Sequence, residues 1–273
     1  MRFAMICLAC LMVFAPLARA DENWVSYFRQ DAADPVSVFV DLSVMDEGVA
    51  LSDGVAIVMA VKLADPDSNG MTRRNEALSL FRLEDSMVDR LARLGGRMAG
   101  RTTGQGQRVF YVLFPDGVLP TAAKSVLQDA AQEFGLRADF LPESRKPMDV
   151  YSSELYPDAA EQRQIGDLRV ITGLIAAGDF PAEPRPINHW CVFNGPKQAK
   201  PFQEWITAKD YDLEEVAQYG QDRVVRFSHI SSIQPDVILA HTVMLDRTCR
   251  DMGGVYDGWE TTLVSAPGGG AQE

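Results

Sequence analysis

Basic charge is scarce in this sequence. Its 273 residues carry 26 Lys and Arg against 38 Asp and Glu, a formal net charge of −12 at pH 7. A surface of that sign repels nucleic-acid phosphates and anionic lipid head groups. Direct nucleic-acid binding would need a local basic stripe. Arg73-Arg74 and Arg90, Arg93 and Arg97 are too sparse and too mixed with acids to supply one. Long apolar runs are missing beyond the first twenty residues, and none reaches the ~20 residues of a spanning helix, so no membrane span is expected. Histidine is rare, at three, and cysteine stands at four. There is no Gly-x-Ser-x-Gly elbow, no His-Glu-x-x-His, no Gly-x-x-x-x-Gly-Lys phosphate loop and no dinucleotide fingerprint. Gly104-x-Gly106 sits between two strand-like runs, where it reads as a turn.

What is present begins with a leader. Arg2 gives a positive start, 3–15 is an uncharged apolar run, Pro16 breaks it, and Ala18-Arg19-Ala20 offers small residues at the cleavage spacing. This three-part layout predicts a secretory signal peptide cut between Ala20 and Asp21, and hence a periplasmic or secreted protein. Its removal takes Arg2, Arg19, Cys7 and Cys10 with it. Two cysteines remain, Cys191 and Cys249. In an oxidising compartment such a pair is expected to form one disulfide.

The mature chain reads as two α+β domains. In the first, 36–45 and 55–63 have strand composition, and 75–94 has apolar residues at helical spacing with Gly95-Gly96 as its stop. The runs 97–101 and 108–114 flank a glycine-bearing turn and predict a hairpin. A helix over 121–134 with Thr121 as its cap and a short strand over 136–141 follow. The stretch 142–157, rich in proline, serine and charge, reads as a linker. The second half gives a helix over 159–177, a strand over 187–193, a helix over 201–209, strands over 211–219 and 223–230, a helix over 235–252 and a strand over 255–263. Each half therefore predicts a split βαβ unit, a ferredoxin-like α/β sandwich, with one extra leading strand in the first. The domain plan is 1–20 leader, 21–141 first domain, 142–157 linker, 158–264 second domain and 265–273 disordered tail.

Two clusters carry candidate metal chemistry. Asp65, Asp67, Asn69, the Met71 carbonyl and Glu76, with Gly70 at the sharp turn, match a twelve-residue calcium-loop spacing. The same residues also suit an Asx-rich turn leading into a helix. In the second half His189 and Cys191 share one strand face, while His241, Leu245 and Cys249 share one helix stripe. If those faces meet, a two-His, two-Cys zinc site is imaginable, although a disulfide would consume both thiols. Packing roles for the histidines are the plainer expectation. The aromatic set Trp190, Phe202, Trp205, Tyr256 and Trp259 reads mostly as core filling.

Three stretches of the second half then bear on family. Residues 167–179 (DLRVITGLIAAGD) form a helix with a Gly-Asp stop, 185–193 (RPINHWCVF) open the first strand, and Tyr256-Asp257-Gly258-Trp259 lies in the last. With 202–216 they resemble the regulator of ribonuclease E activity B family, over roughly 158–263. The first half resembles an uncharacterised bacterial domain often fused ahead of it, through Trp24, Tyr27, 100–114 (GRTTGQGQRVFYVLF) and 151–157 (YSSELYP). The resemblance implies a non-catalytic protein-binding domain. In founding members the partner is the endoribonuclease, bound and inhibited in the cytoplasm. Export would separate this chain from that enzyme, so the expected partner is an unidentified protein. The rival expectations are an envelope hydrolase whose acids and histidines converge only on folding, and a calcium-stabilised structural module. No cofactor is expected.

Overall fold

The computed structural model describes residues 22–31, 34–45, 53–141 and 145–265. The expected leader, its Ala20–Asp21 cleavage point and the tail from 266 lie outside the described residues. The chain divides into two compact units, one running to Glu161 and the other starting at Gln162. Both are α+β, each built on one antiparallel sheet. Among the described residues no helix is long and apolar enough to cross a membrane.

In the N-terminal unit the elements are β1 (Trp24–Asp31), β2 (Asp34–Asp41), β3 (Val55–Lys62), α1 (Arg74–Ala92), β4 (Arg97–Gly104), β5 (Gln107–Phe114), α2 (Pro120–Glu133) and β6 (Ala138–Phe140). Their sheet order is β1-β2-β4-β5-β3-β6. The unit has a strand, β1, that the sequence reading passed over. It pairs with β2 from Trp24 opposite Asp41 to Asp31 opposite Asp34. Its alternation is legible once the register is known: Val25 and Tyr27 are buried while Trp24 and Ser26 are only partly so. Strand β3 is apolar nearly throughout because it lies inside the sheet between β5 and β6. Leu80, Leu83, Met87 and Leu91 of α1 and Ala123, Leu127, Ala130 and Ala131 of α2 close the core over Ile57, Met59, Phe110, Val112 and Phe114. Each large apolar side chain so buried contributes ~1.5–3 kcal/mol.

Two local readings are corrected by the structure. Thr121 does not cap α2. Pro120 takes the first helical position and Leu119 the cap, without a side-chain hydrogen bond. Proline's fixed φ and missing N–H suit the first helical position, and this moves the boundary. Part of the segment expected as a linker is helical: α3 (Pro147–Val150) runs into one π-helical turn, Tyr151–Leu155. Tyr151 and Leu155 are fully buried. The Tyr151 hydroxyl donates to the Asp41 carbonyl at 2.9 Å, and the Tyr27 hydroxyl donates to the Leu155 carbonyl at 2.7 Å. Those apolar and hydrogen-bonded anchors outweigh the proline, serine and charge around them.

Helix α4 (Ala159–Ala176), whose first turn precedes the boundary, leads in the C-terminal unit to β7 (Arg185–Phe193), α5 (Pro196–Thr207), β8 (Asp212–Tyr219), β9 (Asp222–Ser231), α6 (Pro235–Asp251) and β10 (Gly254–Thr261). The sheet order is β10-β7-β9-β8. Helix α5 starts five residues before the expected 201. Gly195 holds φ at 100° as its cap, Pro196 opens the helix, and Pro201 is carried inside it. Cys191, Phe193, Phe202, Ile206, Val225, Phe227, Leu245, Cys249 and Tyr256 make one core, and Ile171, Ile187, Ile233 and Ile238 a second. At the start of β10, Gly254 lies against the Phe193 ring, so a Cβ there would sit 2.4 Å from a ring carbon. Asp179 and Arg185 form a buried ion pair at 2.5 Å, with side-chain exposures of 0% and 2%.

Candidate functional site

Folding brings all three histidines of the sequence together. Strand β7 buries Ile187, His189, Cys191 and Phe193 on its inward face, as its alternation dictates. The β7–β9 register sets Ile187 opposite His229, His189 opposite Phe227 and Cys191 opposite Val225. His229 is thus on the inward face of β9, beside His189. Helix α6 supplies His241 on the stripe that continues to Leu245 and Cys249.

The rings form one hydrogen-bonded chain, Tyr256–His189–His229, and a separate pair, Tyr211–His241. His189 Nδ1 lies 2.7 Å from the Tyr256 hydroxyl, and its Nε2 lies 3.1 Å from His229 Nδ1. The Tyr211 hydroxyl lies 2.6 Å from His241 Nδ1. The His229 and His241 rings sit 4.3 Å apart, and His189 stacks on Phe227 at 5.3 Å. His229 Nε2 is buried and has no hydrogen-bond partner. Two tautomer sets satisfy the chain. Either Tyr256 donates to His189 and His189 to His229, or every proton runs the opposite way.

Burial keeps this cluster neutral. His189 is pushed down to about 2, first by desolvation and then by repulsion from His229 and His241 in their charged forms. His229 is pushed down to about 4 by burial and by His241, and His241 is lowered by burial. Tyr211 is raised to about 12 by burial, and burial also raises Tyr256. A general acid or base works best when its pKa lies near the operating pH. These groups have been moved away from it on both sides. The bonds of His189 tie β7 to β10 and β9, and that of His241 ties α6 to Tyr211 just ahead of β8.

The imagined two-His, two-Cys zinc site is not assembled. Among the described residues no group of three or more His, Cys, Asp or Glu is placed to hold a metal. The physical reason lies in the spacing on α6. His241 and Cys249 are two turns apart with Leu245 between them, so the imidazoles meet tyrosines while the thiols meet each other. Cys191 and Cys249 are both buried in one core and carry free thiols. Burial, and then Cys249, raises the Cys191 thiol far above its usual range. The two cysteines expected to pair thus share one buried cluster.

The calcium-spaced loop closes on itself. Asp67 Oδ1 accepts from the backbone N–H groups of Asn69 at 2.8 Å and Met71 at 2.9 Å. The Met71 carbonyl, a required calcium ligand, accepts the Asp67 N–H at 2.9 Å. Glu76 accepts the Ala64 N–H at 2.7 Å, and Asp65 pairs with Arg73 at 3.3 Å. This is the Asx-rich turn, with Gly70 at φ 74°.

Of the aromatic set, Phe202 and Tyr256 are core, and Trp205 packs on the core's edge. Trp259 donates its indole N–H to Asp167 Oδ1 at 2.9 Å, and Thr242 donates to Oδ2 at 2.5 Å. Trp190 is half-buried on the face of β7 away from the histidines, with the Arg226 guanidinium 5.7 Å from its ring centre. Missed entirely by sequence reasoning were Tyr211, His229 and the ion cluster of the N-terminal unit. There Glu84 of α1 takes Arg108 at 2.8 Å and Arg101 at 3.1 Å, and Arg101 lies 4.2 Å from the Phe39 ring centre. Alternation of Val225, Phe227 and His229 was the signal available for His229.

These features define a two-unit α+β protein whose most perturbed groups serve packing. Residues 164–261 match the family model described as Regulator of ribonuclease activity B. Residues 22–136 match the model described as Family of unknown function (DUF695). The expected resemblances of both halves are thus met. Among solved structures, an unknown protein from Galdieria sulphuraria aligns over 77% of this chain and 99% of its own, at 12% identity. Its TM-score of 0.19 carries no argument. No curated protein matches.

Proposed function

We propose that this protein is an exported, non-catalytic regulator that acts by binding another protein. The match of 164–261 to a regulator family carries the reading. The neutral, internally bonded histidine cluster supports it, because such groups are poor proton carriers at neutral pH. The leader pattern at the N-terminus supports export. The strand orders β6-β3-β5-β4 and β10-β7-β9-β8 support a split βαβ plan in each unit, with β1 and β2 added to the first. In an oxidising compartment a thiol oxidase or small disulfide takes two electrons and two protons from Cys191 and Cys249, leaving a Cys191–Cys249 bond.

Native mass spectrometry of the protein from its own cells, without reductant, tests the reading. The expected species starts at Asp21, carries the oxidised cysteine pair and retains a second protein. A chain that keeps Met1 and both thiols, and that inhibits a cytoplasmic ribonuclease, would replace export with the control known for the family. A chain that holds no partner under any isolation condition, yet turns over a substrate, would replace binding with catalysis.

A further inference from the structure

We propose that the free edge of β8 receives an extended, lysine- or arginine-bearing segment of a partner protein, which adds to the sheet as a fifth strand. The inference rests on the protein-binding reading and deepens it. Among the described residues, strand β8 ends its sheet and only its β9 side is paired. Its outer row of backbone N–H and C=O groups therefore faces solvent, the ordinary template for strand addition. Every side chain of β8 except Ala217 is exposed, although α5 approaches the strand on one face. Eight residues at ~3.4 Å each give an edge of ~27 Å.

The strand's own chemistry selects the occupant. Asp212, Glu214 and Glu215 lie on it, with no Lys or Arg. Glu214 is held by the Ser228 hydroxyl at 2.7 Å, while Asp212 and Glu215 are exposed. The register shift between Leu213 and Glu215 puts Leu213 opposite Phe227 and Val216 opposite Val225, so both apolar side chains share a face. They are 42% and 40% exposed, and Tyr219 is 68% exposed. An incoming strand of alternating apolar and basic residues meets apolar contacts on that face and carboxylates elsewhere. A second copy of the chain does not fit. Pairing two β8 edges would bring three carboxylates from each to one seam, and like charges across strands are destabilising. The acids thus guard against self-pairing while leaving the edge open to a basic strand.

The test uses the full chain, labelled for amide exchange. The probe is an acetylated eight-residue peptide of alternating lysine and valine, and the control alternates glutamate and valine. The lysine peptide is expected to slow exchange at alternate β8 amides at least tenfold, with affinity that falls as salt rises. The control is expected to slow none. The double change Asp212→Lys and Glu215→Lys is expected to reverse the preference. If that variant does not fold, the two peptides on the unaltered chain still decide. Equal protection by both peptides, protection outside β8 and β9, or none at millimolar peptide overturns the proposal, as does a β8-mediated dimer in sedimentation. A photoreactive side chain placed at Val216 or at Val170 separates the two readings in cells. An adduct from Val170 alone removes β8 and keeps protein binding. Adducts from neither position remove both.

Discussion

His189 makes the C-terminal unit sensitive to acid. In the folded chain its imidazole is lowered from 6.5 to about 2, chiefly because burial penalises the charged ring. Unfolded, it takes a proton near 6.5. The stability tied to it is complete above pH 6.5 and is lost as pH falls toward about 2, because only the unfolded state then gains the proton. Between pH 7.5 and pH 5.0 this amounts to about 2 kcal/mol, since 1.5 pH units below 6.5 correspond to ~1.4 kcal/mol each. His229, lowered to about 4, acts in the same direction, but its partial exposure to solvent reduces its share. Carboxyls such as Asp167 and Glu84, raised mainly by burial, act in the opposite direction. The informative quantity is therefore a difference between two proteins. His189→Phe keeps a flat aromatic ring, slightly larger, and removes the titration. Urea unfolding, followed through Trp190, Trp205 and Trp259 of this unit, measures stability at both pH values. The wild type is expected to lose about 2 kcal/mol more than the variant on acidification, whatever the variant's constant offset. Equal losses in both proteins would show that His189 titrates normally and that the buried chain does not hold it neutral.

Four further outcomes follow from the same geometry. Asp179→Asn leaves the Arg185 guanidinium buried beside a neutral amide and is expected to cost ~3–5 kcal/mol in urea unfolding; a loss under 1 kcal/mol refutes the burial. Gly254→Ala drives a methyl against the Phe193 ring and is expected to cost ~1–3 kcal/mol. Oxidising Cys191 and Cys249 is expected to raise stability by ~2–4 kcal/mol over the reduced chain, measured with and without reductant. Chelator is expected to leave the melting temperature unchanged, because the Met71 carbonyl and Asp67 are already spent on the turn; a fall of several degrees would restore calcium to the loop.

Local pattern was enough for most elements. The helical spacing over 75–94, the alternation through β5 and β7, and the glycine stops each speak within one turn or one strand pair, although Leu78 and Val88 of the expected helical stripe are exposed and Leu80 and Leu83 are buried instead. Composition misled where a few anchors decide. Tyr151 and Leu155 bury themselves amid a stretch whose average reads as linker, and β1 declares itself only through its pairing with β2. The candidate site was half legible. Strand and helix periodicity placed His189 with Cys191 and His241 with Cys249, and suggested that the two faces meet. His229 needed the β7–β9 register, and Tyr211 needed the path of the chain out of α5.

The sequence by itself determined what depends on neighbours along the chain: periodicity, turn chemistry, charge and the motifs that carry family resemblance. Tertiary structure alone decided which polar groups share a buried space. It set three imidazoles and two tyrosine hydroxyls in one cluster, kept the thiols a separate pair, and left β8 at the edge of its sheet among the described residues. Those outcomes depend on sheet order and register, which are set by the total burial of both layers. Burial, in turn, fixes which protonation states the site can adopt.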